Sequence, residues 1–352
     1  MIRPSVQYLP FRLLVWLLLI AIGIEFLLVA KSLLLPLVLA VLLAFLLFPI
    51  TEFLRRKLRM PSGLAIFLCV VSSVAILVLS IIVLTNQITS FVSETPQLRE
   101  RVLENIYHIQ EEFGKVFHVP ISEQRQFISK NINKLISQSG EALKTLASAT
   151  FSIAVTVGIL PVYTFFLLLY RNKFYNLLTA IIQSAHYERT DLIVKQISMV
   201  TSRYLSGVIT VVLILCVLNS AGLYLVGARY AILLGVVSAV ANFIPYFGTL
   251  IGGALALIIS LLLQGSGQVA IGISLLFIGI QFLENNILTP RITGGSVRLN
   301  PLITILAIVT GSMIWGVAGM FVAVPLLGMF RIVCDNIEGL HPLARFLSAG
   351  KR

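Results

Sequence analysis

The sequence predicts an all-α polytopic membrane protein. Apolar residues fill 58% of its 352 positions, charged residues only 11%, and mean hydropathy is +1.00. A soluble domain carries roughly a quarter charged residues. The shortage of charge runs through segments about as long as a bilayer-spanning helix, roughly 20 residues. Only helices and closed barrels satisfy every backbone group in lipid, and the alternating pattern of a barrel is absent.

About eight hydrophobic helical segments follow in order: Phe11–Ala30, Leu33–Ile50, Ser62–Leu84, Thr150–Tyr170, Tyr204–Val226, Tyr230–Leu263, Gln268–Leu288 and Pro301–Ile332. The first resembles a signal peptide in carrying Arg3 and Arg12 ahead of an apolar run. Its length and the lack of a small-residue cleavage pattern favour an uncleaved anchor helix. Arg55, Arg56, Lys57 and Arg59 follow the second segment, and Arg171, Lys173, Arg189, Lys195 and Arg203 lie between the fourth and fifth. Basic residues beside spans mark the cytoplasmic side. Eight crossings then place both termini in the cytoplasm, with Arg331, Arg345, Lys351 and Arg352 at the C-terminal end. The expected organisation is N-terminal transmembrane helices over 1–84, an extramembrane amphipathic helical hairpin over 85–149, a transmembrane core over 150–335 and a cytoplasmic tail over 336–352.

The 85–149 module balances seven basic residues against seven acids, which fits the outer face. Thr95-Pro96 suits a helix start, a capping hydroxyl followed by proline. Leu98, Val102, Ile106, Ile109, Phe113 and Val116 then recur at steps of three and four, one face of a helix. A packing hairpin, an oligomerisation arm and a lid all fit this stripe.

Two segments are too long for one crossing, since Tyr230–Leu263 and Pro301–Ile332 each exceed the roughly 20 residues a span needs. The first is interrupted by Asn242, Pro245, Tyr246 and Gly248, the second by Gly311, Gly316, Gly319 and Pro325. Proline removes a helical hydrogen bond, and glycine permits a turn or a close approach. A kinked, tilted span and a broken or re-entrant one both account for the length. Freed backbone groups at membrane depth need protein or a water-lined cavity, and such breaks often mark substrate sites.

Acids inside spans are rare, so Glu25 and Glu284 stand out. An ionisable group there must pair, protonate or face water. Gln281, Glu284 and Asn285 occupy neighbouring helical positions, a carboxylate and amides suited to a proton, a small cation or a hydroxyl-rich solute. Pairing with Arg291 is the ordinary alternative for Glu284, and pairing with Lys31 for Glu25. The candidate substrate- or ion-binding residues are therefore Asn242, Pro245, Tyr246, Gly248, Glu284, Asn285 and Arg291.

His108, His118, His186 and His341 are scattered, and Cys69, Cys216 and Cys334 have no metal-ligand spacing. No nucleophile elbow, HExxH or phosphate loop occurs, so neither an enzyme nor a cofactor is expected. The net charge of +12 is spread over short loops without the basic, aromatic-interleaved footprint of a nucleic-acid binder. The expected partners are membrane lipids and either a small polar solute or sodium and protons; glycine-rich faces leave a homo-oligomer open.

The run from Ala241 through Asn242-Phe243-Ile244-Pro245-Tyr246-Phe247-Gly248 to Gly252 resembles the central signature of the autoinducer-2 exporter family of bacterial membrane proteins. So do Glu284-Asn285-Asn286-Ile287-Leu288-Thr289-Pro290-Arg291 to Gly294, Leu299-Asn300-Pro301-Leu302, and Ala323-Val324-Pro325-Leu326. Leu35-Pro36, Phe48-Pro49 and Arg203-Tyr204-Leu205-Ser206-Gly207 are similar as well. The resemblance is ordered and nearly chain-long. It implies a transporter of the bacterial inner membrane, with export of autoinducer-2 in some members and sodium–proton exchange in others. A non-transporting scaffold and a passive channel are the rival expectations.

Overall fold

The computed structural model describes residues 9–93, 158–181, 187–243, 248–293 and 299–350. The 85–149 module lies almost wholly outside the described residues, as do Pro245 and Tyr246. Helices account for nearly all of the rest, and the described β-structure is an isolated bridge between Leu299 and Ser348. The fold is that of an all-α polytopic membrane protein. Exposed leucine, isoleucine and phenylalanine cover the outer faces of the long helices, as lipid contact requires.

The chain divides into two compact units. The first comprises Met1–Phe67, Ile159–Ser202 and Val297–Arg352. It opens with α1 (Leu9–Val29) and α2 (Lys31–Lys57). Arg55, Arg56 and Lys57 occupy the last turn of α2, where cations complement the helix dipole. Glu52 accepts hydrogen bonds from Arg55 and Arg56 at 2.6 Å each and from Arg171 at 3.2 Å. The Arg171 guanidinium also lies 4.6 Å from the Phe48 ring. Two of the four basic residues expected after the second segment, together with Arg171, are thus tied to a single acid. After α3 (Ser62–Ser93), which runs past the expected end at Leu84, come α4 (Gly158–Leu169) and α5 (Arg171–Ile181). Next is α6 (Tyr187–Leu225), whose start precedes the expected Tyr204 by most of five turns.

The second unit comprises Leu68–Gly158 and Arg203–Ser296. It holds most of α6, then α7 (Ala231–Ala241), α8 (Gly248–Gln264) and α9 (Gly267–Leu283). A π-helical turn over Glu284–Leu288 leads into α10 (Thr289–Ile292). Three glycines register α6 against the α9–α10 rod in antiparallel sense. A side chain on Gly207 would meet Thr293, one on Gly222 would meet Leu276, and one on Gly272 would meet Val226. These contacts span 207 to 226, along α6 and the residue that follows it, about 28 Å at 1.5 Å per residue. That matches the roughly 30 Å hydrocarbon core.

The expected span Tyr230–Leu263 does not cross in one piece. Gly248 abuts Asn242, and Gly252 abuts Ser238, so α7 and α8 run antiparallel with the reversal between Asn242 and Gly248. At 11 residues, or about 16 Å, α7 is too short to cross alone. The base of this hairpin is closed by Gln264. Its Nε2 donates to the Gly227 carbonyl at 2.8 Å, and its Oε1 accepts from the Arg229 backbone at 3.3 Å.

Pro301–Ile332 behaves in the same way within the first unit. Helical bonding is continuous enough to read as one helix, α11 (Pro301–Asn336), but Gly316 has φ 65° and ψ −143°. The Gly311 and Gly319 backbones touch, and a Cβ on Gly311 would lie 3.1 Å from that of Ala323. Eight residues of straight helix would separate 311 and 319 by about 12 Å. α11 is therefore two antiparallel arms folded at Gly316. Both over-long segments are folded back, one of the two alternatives their length and interruptions left open. The expected tail also has structure: α12 (His341–Leu347) turns back, Leu347 accepts from the Asn300 N–H at 2.9 Å, and Cys334, Ala344 and Leu347 are buried.

Candidate functional site

The reversal between α7 and α8 brings one polar side chain onto the α9–α10 rod. Asn242 follows the last turn of α7, and its Nδ2 donates to Glu284 Oε1 at 2.5 Å. Glu284 is 7% exposed, and it is the one charged side chain among the buried described residues. Its other oxygen, Oε2, has no hydrogen-bond partner. A buried acceptor usually finds a donor. Among the described residues no ion pair reaches Glu284, and the Asn242 amide is its hydrogen-bond donor.

Local sequence explains where Glu284 sits. Pro290 has no N–H to return to the carbonyl four residues back, and its ring crowds that carbonyl. Upstream of it the helix widens: the Thr289 N–H bonds to the Glu284 carbonyl, five residues back. Asn286 Nδ2 takes the Phe282 carbonyl at 2.8 Å, which further loosens the ladder. Such single π turns occur often at functional sites. Along the α6–α9 pair, Glu284 lies between the Gly222–Leu276 and Gly207–Thr293 contacts, near mid-length. Gly248 completes the arrangement from the other arm. It is buried, and any side chain there would occupy the backbone of Asn242.

Three of the seven expected residues, Asn242, Gly248 and Glu284, therefore meet. Asn285 and Arg291 are exposed, and no hydrogen bond joins either to the pair among the described residues. Asn285 follows Glu284 by one residue, and residues one apart do not share a helix face; the π turn shifts the register of Arg291, further along. Glu25 is exposed on α1. A second polar group went unread in the sequence. Asn219 on α6 is 0% exposed and places Nδ2 3.4 Å from Ser238 Oγ on α7. The available signal was an amide in the middle of an otherwise apolar run.

A helical hairpin whose reversal meets a buried acid on a neighbouring long helix is an arrangement of the broken-helix type seen in membrane transporters. The chain belongs to the AI-2E transporter family: the sequence profile of the AI-2E family transporters matches residues 13–339. It is 28% identical over 322 residues to "Putative transport protein YrrI" of Bacillus subtilis, covering 88% of this chain and 87% of that one. It is 24% identical over 342 residues to the AI-2 transport protein TqsA of Escherichia coli, covering 94% and 93%. Family and relatives alike are named for transport rather than for a chemical reaction. The protein is a multi-pass membrane transporter.

Proposed function

We propose that this transporter is a secondary carrier that exports a small polar solute, with Glu284 as the group that takes up and releases the coupling proton. One observation carries the reading. A carboxylate is buried at mid-length of a membrane-depth helix pair, held on one oxygen by the reversal of a helical hairpin and unpartnered on the other. An acid in that setting is stable when protonated or when balanced by a cation, so its charge state is tied to what occupies the site. The Asn242 contact ties the same carboxylate to the hairpin, which lets loading alter the hairpin's position. No metabolic energy source is required beyond an ion gradient.

The hairpin 231–264 is read as re-entrant, entering and leaving the bilayer on one side, because its arms are short and antiparallel. Placing the basic ends of α6 and the α9–α10 rod in the cytoplasm of a bacterial inner membrane accords with the positive-inside rule. Autoinducer-2, named on the TqsA relative, is the first solute to try. The direct test is flux into proteoliposomes across a pH series for the wild type and Glu284→Gln. The wild type should respond steeply to pH, and the variant should be slow and nearly flat. A variant with the wild-type pH profile would remove Glu284 from the coupling step.

A further inference from the structure

The basic residues at the end of α2 and the start of α5 form an organised cluster rather than a scatter of surface charge. Within 48–59 and 166–177, Arg55, Arg56, Lys57, Arg59, Arg171 and Lys173 face one acid, Glu52. Six cations against one carboxylate leave a surplus of five positive charges. Glu52 gathers three guanidiniums from two helices of one unit: Arg55 and Arg56 at 2.6 Å on Oε1, and Arg171 at 3.2 Å on Oε2. A guanidinium carries five N–H donors in a planar fork, and each of these contacts uses one nitrogen. The Arg55, Arg56 and Arg171 side chains remain 41%, 76% and 30% exposed, so donors are left over on the outside of the cluster.

Aromatic rings fix its depth. The Arg171 guanidinium lies 4.6 Å from the Phe48 ring, Lys57 Nζ 5.2 Å from Phe53, and Lys173 Nζ 5.0 Å from Tyr170. Tyr170 stacks on Phe166, which meets Phe165 edge-on. Phe53, Phe166 and Tyr170 are exposed, as are Phe174 and Leu177, three residues apart on one face of α5. Exposed aromatics rimmed by cations mark the level at which hydrocarbon gives way to headgroups. Arg59 adds a further sign. It follows the end of α2 at φ 51°, a left-handed position that glycine occupies with less strain. A cation stands where the turn alone favours glycine.

We propose that the Glu52-centred cluster binds the phosphate of an anionic phospholipid, whose acyl chains lie along Phe53, Phe166 and Tyr170. The forks of Arg55, Arg56 and Arg171 donate to the phosphate oxygens, and Lys57, Arg59 and Lys173 supply the surrounding charge. Glu52 does not touch the lipid. It is a positioning residue that holds together three guanidiniums that otherwise repel one another. A zwitterionic headgroup brings its own cation into this field and is disfavoured. The site uses neither Asn242 nor Glu284, so it stands whether or not Glu284 carries a proton.

The experiment is native mass spectrometry of the purified full-length protein in non-ionic detergent, with phosphatidylglycerol and phosphatidylcholine of matched chains added together. Each variant is first checked by size exclusion. The wild type should retain phosphatidylglycerol over phosphatidylcholine by about tenfold. Arg171→Ala should weaken that retention by about tenfold. Arg171→Lys, which keeps the charge and loses the fork, should weaken it too. Glu52→Gln is the deciding variant. It makes the cluster more positive, so a diffuse basic face would hold anionic lipid more tightly, whereas a positioned cluster holds it more weakly. Arg59→Gly relieves the left-handed strain while removing a cation, so it should melt no lower than the wild type and still bind less lipid. Arg203→Ala removes the same charge outside the cluster and should retain lipid like the wild type. Equal retention of the two lipids by the wild type, or undiminished retention in Glu52→Gln, overturns the site. Displacement of phosphatidylglycerol by millimolar inorganic phosphate would overturn the lipid as ligand in favour of a free anion.

Discussion

Asn242 and Glu284, forty-two positions apart in the chain, are joined by a 2.5 Å hydrogen bond that links the end of α7 to the π turn following α9. The bond runs from a neutral amide to a carboxylate, so it is stronger when the acid is ionised and weaker when it is protonated. The contact between the hairpin and the neighbouring helix is therefore strongest with the acid ionised.

Replacing Asn242 with leucine should leave Glu284 without a donor. Removing one partner of a buried polar pair costs about 1–3 kcal/mol. We expect a lower melting temperature and at least a tenfold loss of flux in proteoliposomes. Asn242→Gln, which keeps the amide on a longer stem, should recover part of the flux. Equal flux in Asn242→Leu and the wild type would separate the contact from transport.

Gly248 tests the packing of the same reversal. A methyl group there would fall on the Asn242 backbone, which has no flexible end that can move aside. Overpacking of this kind typically costs about 1–3 kcal/mol. Gly248→Val should be less stable than Gly248→Ala, and both should lose flux, as read by thermal unfolding and transport on one preparation. Gly279, which has open space around its Cα, is the control: Gly279→Ala should be close to neutral.

Much of this architecture was legible in the chain, and its limits have physical causes. Span positions follow from apolar length alone, and Pro245 and Gly248 announced an interruption because neither residue type continues a helix comfortably. The fold-back at Gly316 was harder to read, since membrane helices carry many glycines for close packing and only the backbone φ distinguishes a turn from a contact. Glu284 was conspicuous as an acid in a span. Asn285 was grouped with it by adjacency, but residues one apart point in different directions on a helix, and Asn285 is exposed where Glu284 is buried. Asn219 and Ser238 belong to different helices, and nothing local states that α6 and α7 will face each other there.

The Gly316 fold-back makes its own prediction. With φ 65° and ψ −143°, it occupies a region of backbone space that is essentially glycine's alone. Forcing another residue there costs of order 1–3 kcal/mol. Nothing lies within 4 Å of a Cβ at this position, so Gly316→Ala isolates the backbone penalty from any steric one. A melting temperature lowered by several degrees is expected. Gly319→Ala, whose side chain would strike the Gly311 carbonyl, should destabilise through steric overlap instead. An unchanged melting temperature in Gly316→Ala would argue against the reversal.

The hairpin 231–264 also determines which side of the membrane Arg291 faces. α6 and the α9–α10 rod are antiparallel, and Gly207 packs on Thr293, so Arg203 and Arg291 lie at one end of the pair. Gln268 lies at the other end, next to the hairpin base formed by Gln264 and Gly227. Had 230–263 crossed the bilayer completely, α6 and α9 would run in the same direction and Arg291 would face the side opposite Arg203. Arg203, Gln268 and Arg291 are all exposed, so single cysteines can be placed there in a background with Cys69, Cys216 and Cys334 replaced by alanine. A membrane-impermeant maleimide should label positions 203 and 291 in inverted vesicles and position 268 in right-side-out ones. The basic ends then face the cytoplasm, as the positive-inside rule requires. Labelling of 203 and 291 from opposite sides would make the hairpin a full crossing and remove the structural basis for a carrier site at its reversal.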